Sequence, residues 1–240
     1  MKKRLDDRLT DLGLVEDKQD AFIKVTEGKI FVDGQKAISP AQLVKHDAKI
    51  EIRKGQEYVG RGALKLEAAL KKFEIDVSGK ICADIGAATG GFTEVLLKRG
   101  AKKVYAIDTA RGKLAPKLRE DPRVVVMEKT DIRNLQELPN PVEIATIDVS
   151  LIPLQDILPH TRRFLTEKGS VVALFKPQYQ TRDPKILKHG VIRDEAERER
   201  LLENFLQWVE ERGWKVKDTM ESPIRGNEGN TEYLIWLHLS

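Results

Sequence analysis

Cysteine is almost missing: Cys82 is the only one in 240 residues, so no disulfide within the chain can staple the fold, and a packing role in a reducing compartment is expected. Long apolar runs are missing too. Nothing approaches the ~18 consecutive apolar residues of a membrane span, and the opening "MKKRLDDRLTDLG" has neither the apolar stretch nor the small-residue cleavage site of a signal peptide. A cytoplasmic protein is the expectation, with no membrane partner. The four histidines, His46, His160, His189 and His238, are scattered without ligand spacing, so no metal site is expected. Aromatic residues make up 6% of the chain, and no internal repeat or low-complexity tract is present.

What the chain does have is charge (33%) and enough apolar residues (40%) for a sizeable core. The net charge of +4 is unevenly placed. Residues 1–72 hold 16 Lys/Arg against 12 Asp/Glu, whereas residues 73–240 hold 26 of each. A polyanionic partner would therefore be gripped first by the N-terminal part. There, Leu5, Leu9 and Leu12 recur at helical spacing before Gly13. A second helix is expected after Asp17, a plausible cap, with Ala21, Phe22 and Val25 facing inward and Gly28 ending it. "KIFVDGQKA" alternates into a turn at Asp33-Gly34, and "AKIEIRKG" is a further strand. These elements make a small α+β module over residues 1–54. The polar, glycine-bearing stretch at 55–62 reads as a linker, and residues 63–240 as a second domain.

The second domain opens with "GALKLEAALKKF", a helix with Leu64, Leu66 and Leu70 among its apolar positions. Strand and helix signals then alternate through "KICADIG", "GGFTEVLLKRG", "KKVYAIDTA", "RVVVMEKTD", "VEIATIDVS" and "GSVVALFKPQ". That alternation predicts an α/β, Rossmann-like, mostly parallel sheet covered on both faces. After the long amphipathic "DEAERERLLENFLQWVEERG", the turn between the two closing strands is too short for a crossover helix, so the last strand should be antiparallel. Ligands of such sheets bind beyond the carboxyl ends of the strands. Those ends carry Asp84, Gly86, Gly90 and Gly91, then Asp108, Asp131, Asp148 and Lys176. The glycines do not follow the dinucleotide spacing, and no Gly-Lys-Ser/Thr follows, which disfavours a dehydrogenase and a P-loop. A nucleoside cofactor without a pyrophosphate, S-adenosylmethionine, suits the turn, with Asp108 placed for ribose hydroxyls. A plain strand-to-helix turn fits the spacing equally well.

Taken together, "RLDDRLTDLGLVEDKQDAFIKVTEGKIFVDGQ", "GRGALKLEAAL", "DIGAATGGFTE", "IDVSLIPL", "KPQ" and "GNEGNTEY" resemble, in order and over essentially the whole chain, the TlyA (haemolysin A) family of ribosomal RNA ribose methyltransferases, related to the FtsJ-type 2'-O-methyltransferases. The resemblance implies S-adenosylmethionine as cofactor, ribosomal RNA or ribosomal subunits as partner, and transfer to a ribose 2'-hydroxyl of a cytidine. It places a Lys-Asp-Lys-Glu tetrad on Lys65, Asp148, Lys176 and Glu232, and cofactor contacts on Asp84, Gly86, Ala87, Gly90, Gly91, Phe92, Asp108 and Asp131. The first module resembles the alpha-L RNA-binding domain, with Lys2, Lys3, Arg4, Arg8, Arg53, Lys54 and Arg61 as RNA contacts.

A ribose hydroxyl is a poor nucleophile that must lose its proton and lie in line with the methyl carbon. Lys176 as base or proton acceptor, Asp148 orienting it, and Lys65 with Glu232 positioning the ribose would meet that need. Read alone, Lys65 is a solvated helix lysine and Glu232 a surface residue, while a cap of the next turn and a site acid suit Asp148 equally well. Gly60, Lys18-Gln19 and Tyr179-Gln180 depart from the family pattern at positions that bear on the RNA site. Two rival functions are an RNA-binding or ribosome-assembly protein without chemistry, and a membrane-lysing protein.

Overall fold

The computed structural model describes residues 2–26, 28–52, 58–181, 183–226 and 228–239. The chain forms two compact units, dividing between Glu57 and Tyr58. In the first, strand β1 (Lys2–Arg4) leads into helix α1 (Leu5–Asp11), followed by α2 (Lys18–Thr26), β2 (Ile30–Val32), β3 (Gln35–Lys36), β4 (Leu43–Lys45) and β5 (Ile50–Ile52). β1 pairs with β4, and β3-β2-β5 form a separate antiparallel sheet. Asp17 does close the start of α2, its Oδ1 accepting from the Asp20 amide at 2.8 Å. The Asp33-Gly34 turn joins β2 to β3. Leu5, Leu9, Ala21, Val25 and Ile30 are buried together.

Phe22, expected to face inward, is 56% exposed, and Leu12, at helical spacing from Leu5 and Leu9, is 44% exposed. α1 stops at Asp11, so Leu12 leaves the helical face. In α2 the buried stripe is narrow, confined to Ala21 and Val25 four residues apart. The β1–β4 pair has no counterpart in the sequence reading, because each strand has three residues and the first is wholly charged.

The second unit contains α3 (Ala63–Lys72), β6 (Ile81–Ile85), α4 (Gly91–Lys98), β7 (Lys103–Asp108), α5 (Pro116–Arg119), β8 (Val124–Glu128), β9 (Val142–Ile147), α6 (Leu158–Arg162), β10 (Leu165–Phe175), α7 (Glu195–Glu210), β11 (Trp214–Glu221) and β12 (Tyr233–Leu239). The sheet order is β11-β12-β10-β9-β6-β7-β8. β10, β9, β6, β7 and β8 pair in parallel. β12 lies between β10 and β11 and is antiparallel to both.

Period-two alternation sends one set of strand side chains to each face. Cys82, Val104, Ala106, Ile144, Val172 and Leu234 pack with Leu66 and Leu70 of α3 and Val95 and Leu96 of α4. Ala83, Ile107, Ala145, Val171, Phe175 and Ile235 pack with Leu158 of α6 and Phe205 and Val209 of α7. Burial pushes the Cys82 thiol up to about 12, the Glu143 charge adding to it, as suits a packed and inert sulfur. Leu64, an apolar position of α3, is 44% exposed, because α3 buries the face carrying Ala63, Leu66, Ala69 and Leu70.

Because Leu9 is fully buried and Leu12 is not, Leu9→Ala should destabilise the protein by about 2–5 kcal/mol and Leu12→Ala by less than about 0.5 kcal/mol. Urea unfolding of the two variants followed by circular dichroism checks this; equal losses would refute the placement of α1.

Candidate active site

The chain runs outward from β6 through β7 to β8, then returns to lay β9 on the other side of β6. This is a topological switch point, where adjacent loops part and leave a crevice. A cleft of about 480 Å³ opens there, its walls including the turn 86–89, the segment 60–62, and Lys65, Asp148, Ser150, Lys176, Gln178, Asn230 and Glu232. It lies entirely within the second unit.

Four distant parts of the chain bring charge to this cleft. Lys65 sits in the first turn of α3, Asp148 just past β9, Lys176 just past β10, and Glu232 just before β12. Lys65 Nζ donates to Glu232 Oε2 at 2.5 Å, and Lys176 Nζ meets Asp148 Oδ1 at 2.5 Å. Three of the four are almost buried, at 8% exposure for Lys65, 8% for Lys176 and 3% for Glu232. Burying a lone charge costs several kcal/mol, so each of these needs the partner it has. Lys176 Nζ donates further to the Val149 carbonyl at 3.0 Å and the Ser150 hydroxyl at 3.2 Å.

The turn after β6 is shaped by two glycines. Gly90 has φ +95°, and a Cβ there would come within 2.2 Å of a Leu118 methyl. Gly86 has φ +88°, and a Cβ there would come within 2.2 Å of the Asp148 carbonyl oxygen. The Asp148 amide donates to the Ile85 carbonyl at 2.9 Å. The glycine turn and the Asp148 loop are thus in direct backbone contact. Ala87, Gly91 and Phe92 also line the cleft.

Asp84 serves this turn from beneath. It is fully buried and absent from the cleft wall; its Oδ2 accepts from Thr93 Oγ1 at 2.6 Å and its Oδ1 from Thr146 Oγ1 at 3.2 Å. Burial pushes its carboxyl up to about 7, with the Asp148 charge adding to the effect and both threonine hydroxyls opposing it. Asp108 braces the turn from the side, accepting from the Ala88 amide and the Ala110 amide at 2.7 Å each. Asp131 is turned toward Arg133, at 2.6 Å, which holds its carboxyl below the usual range. Neither Asp108 nor Asp131 belongs to the cleft wall.

Among the basic residues, Arg61 lines the cleft and is exposed, while Arg53 and Lys54 lie outside the described residues. In the first unit Lys3 pairs with Asp11, and Arg4 with Asp6 at 2.5 Å. Arg8 donates to the His46 carbonyl at 2.8 Å. Lys2 stands directly across the β1–β4 ladder from Lys45, and neither has a carboxylate partner among the described residues. Among the described residues no group of His, Cys, Asp or Glu could hold a metal ion, and no helix is long and apolar enough to cross a membrane. Sequence reasoning passed over Ser150, Arg225 and Asn230, all of the cleft wall. Ser150 follows Asp148 by two residues, and the asparagine stands inside "GNEGNTEY", so proximity to motif residues was the available signal.

An open, mostly parallel sheet with a glycine turn at its switch point and paired lysines and carboxylates beside it is the architecture of a methyltransferase. The FtsJ-like methyltransferase family matches residues 58–239, and the chain belongs to it. It is 38% identical to the 16S/23S rRNA (cytidine-2'-O)-methyltransferase TlyA of Mycobacterium tuberculosis over 98% of this chain and 90% of that protein. It is 39% identical to Hemolysin A of Brachyspira hyodysenteriae, over 96% of this chain and 98% of that one. A solved structure of a candidate hemolysin from Streptococcus thermophilus, 36% identical, superposes with a TM-score of 0.76 and covers 100% of this chain and 89% of that one.

Two predictions follow from the turn. Gly86→Ala should displace the Asp148 loop and so lower transfer by at least about tenfold, since small misplacements at a reacting centre are costly. Methyl transfer and the unfolding midpoint, measured together, check this; unchanged transfer would refute the contact as a constraint. For Asp84, a folded-state carboxyl near 7 against 3.8 unfolded means that its contribution to stability is complete below about pH 4 and is lost as the pH rises to about 7. Asp84→Asn should remove that loss, on the order of 4 kcal/mol, so the variant gains on the wild type across this window. Parallel stability curves for the two proteins would show that Asp84 does not titrate there.

Proposed function

We propose that this protein transfers a methyl group from S-adenosylmethionine to a ribose 2'-hydroxyl of ribosomal RNA, at a cytidine, as the names of its relatives say of them. The observation that carries the reading is the meeting of Lys65, Asp148, Lys176 and Glu232, from four separate elements, as two ion pairs in one cleft at the switch point.

The cleft suits the cofactor. The turn at 86–91 presents backbone without bulky side chains, α4 begins at its end and favours negative charge there, and the Asp148 carboxylate is compatible with a positively charged sulfur. Ala87, Gly91 and Phe92 would contact the cofactor directly. Asp84 and Gly90 would fix the turn, and Asp108 would offer its remaining lone pairs to ribose hydroxyls. Asp131 would act through the loop it stabilises with Arg133. When bound, S-adenosylmethionine supplies an electrophilic methyl carbon on a sulfonium.

The residues of the chain do the rest. Lys176 lies against the reacting oxygen and takes its proton, and Asp148 fixes the direction of the amine. Lys65, held by Glu232, positions the ribose. The N-terminal unit adds affinity through phosphate contacts. Lys2 and Lys45 are suited to this, because like charges directly opposite in a ladder are unfavourable without a counter-ion, whereas Lys3 and Arg4 are already paired. Arg61 would meet phosphate at the cleft. The reading places the protein in the cytoplasm, with the ribosome.

The test is transfer of labelled methyl from S-adenosylmethionine to purified small subunits, large subunits and naked rRNA, with Lys176→Ala alongside and cofactor binding measured by calorimetry. Label on a subunit, falling at least about 100-fold in the variant while cofactor binding persists, is the expected result. No label on any RNA with cofactor bound would favour an RNA-binding protein without chemistry.

A further inference from the structure

We propose that Ser150 is a positioning residue for Lys176 and that its hydroxyl lets the lysine exist in both protonation states in the same place. The inference rests on the role given to Lys176 in the proposed function. Three oxygens lie around Lys176 Nζ: the Val149 carbonyl and Ser150 Oγ accept its hydrogen bonds at 3.0 Å and 3.2 Å, and Asp148 Oδ1 forms an ion pair with it at 2.5 Å. An ammonium has three N–H groups and no lone pair, so three acceptors satisfy it. A neutral amine has two N–H groups and one lone pair, and a third pure acceptor would face that lone pair and repel it.

Asp148, when ionised, and the Val149 carbonyl can only accept. A serine hydroxyl can accept from an ammonium or, by rotating its O–H, donate to an amine. Ser150 is therefore the one member of the tripod that tolerates loss of the proton. It is also the longest of the three contacts and the one whose residue is exposed on the cleft wall. The lone pair of neutral Lys176 accordingly points to the Ser150 side of the cleft, where the substrate hydroxyl replaces the Ser150 O–H as its donor. In the transfer step the 2'-oxygen forms its bond to the methyl carbon as the carbon–sulfur bond breaks, leaving the neutral thioether. The hydroxyl proton passes to Lys176 Nζ, which returns to the ammonium held by three acceptors. Solvent then receives that proton before the next turnover.

The experiment compares Ser150→Ala and Ser150→Thr with the wild type in the full chain. Ser150→Ala should lower kcat about tenfold, with KM for S-adenosylmethionine and for rRNA changed less than about threefold, because binding groups are untouched. Ser150→Thr, which keeps the hydroxyl, should recover kcat to within about threefold of the wild type. A kcat in Ser150→Ala equal to the wild type, or Ser150→Thr as impaired as Ser150→Ala, overturns the proposal. The second measurement needs no methyl transfer: the ¹⁵Nζ signal of Lys176, assigned by its disappearance in Lys176→Ala, reports hydrogen exchange of the ammonium. Exchange should be faster in Ser150→Ala and near wild type in Ser150→Thr; identical exchange in all three overturns the tripod. If wild-type protein labels no RNA, the proposed function fails, while the exchange measurement still decides for or against the Ser150 contact.

Discussion

The contact between Gly86 and the Asp148 carbonyl is the constraint on which the site depends. A Cβ at Gly86 would lie 2.2 Å from that oxygen, closer than any side chain allows, so the two strand ends can approach only because one residue has none. The Ile85–Asp148 hydrogen bond extends the sheet by one step past β9. Together they fix the separation between the turn suited to a cofactor and the carboxylate that holds Lys176. The glycine turn is itself braced from beneath by Asp84 and from the side by Asp108. Three aspartates at three strand ends thus serve one loop arrangement by different means.

Charge neutralisation is the second organising effect. Two lysines with little exposure in one cleft would repel each other and resist desolvation. Each instead meets a carboxylate from another part of the chain, Lys65 from Glu232 and Lys176 from Asp148. Each pair constrains both of its side chains, and the proposed transfer would draw on that rigidity. The N-terminal unit shows the opposite arrangement, since Lys2 and Lys45 face each other without a carboxylate partner among the described residues.

How much of this was legible in the sequence depended on range. Apolar strands bounded by turns announced the parallel sheet, and the short closing turn announced an antiparallel last strand, as β12 is. Leu12, Phe22 and Leu64 misled because helical spacing says which residues share a face and not how wide the buried stripe is. β1 and β4 escaped notice because three-residue strands carry too little alternation to be read. At the site, Lys176 after a buried strand was visible locally. Lys65 and Glu232 stand 167 residues apart, and no local pattern links a helix lysine to a glutamate before the last strand; family resemblance was the signal that joined them. Asp84 was legible as a strand-end acid, but its complete burial follows from Thr93 and Thr146 arriving on other elements.

β12 lies between β10 and β11, which ties the sheet to the cleft. β12 fills a slot between two strands and does not extend an edge, and Glu232 stands directly before it. Without β12, β11 has no pairing partner in the sheet and Lys65 lacks the Glu232 counter-ion. Seating β12 in the sheet and completing the Lys65–Glu232 pair of the cleft are therefore coupled through one strand.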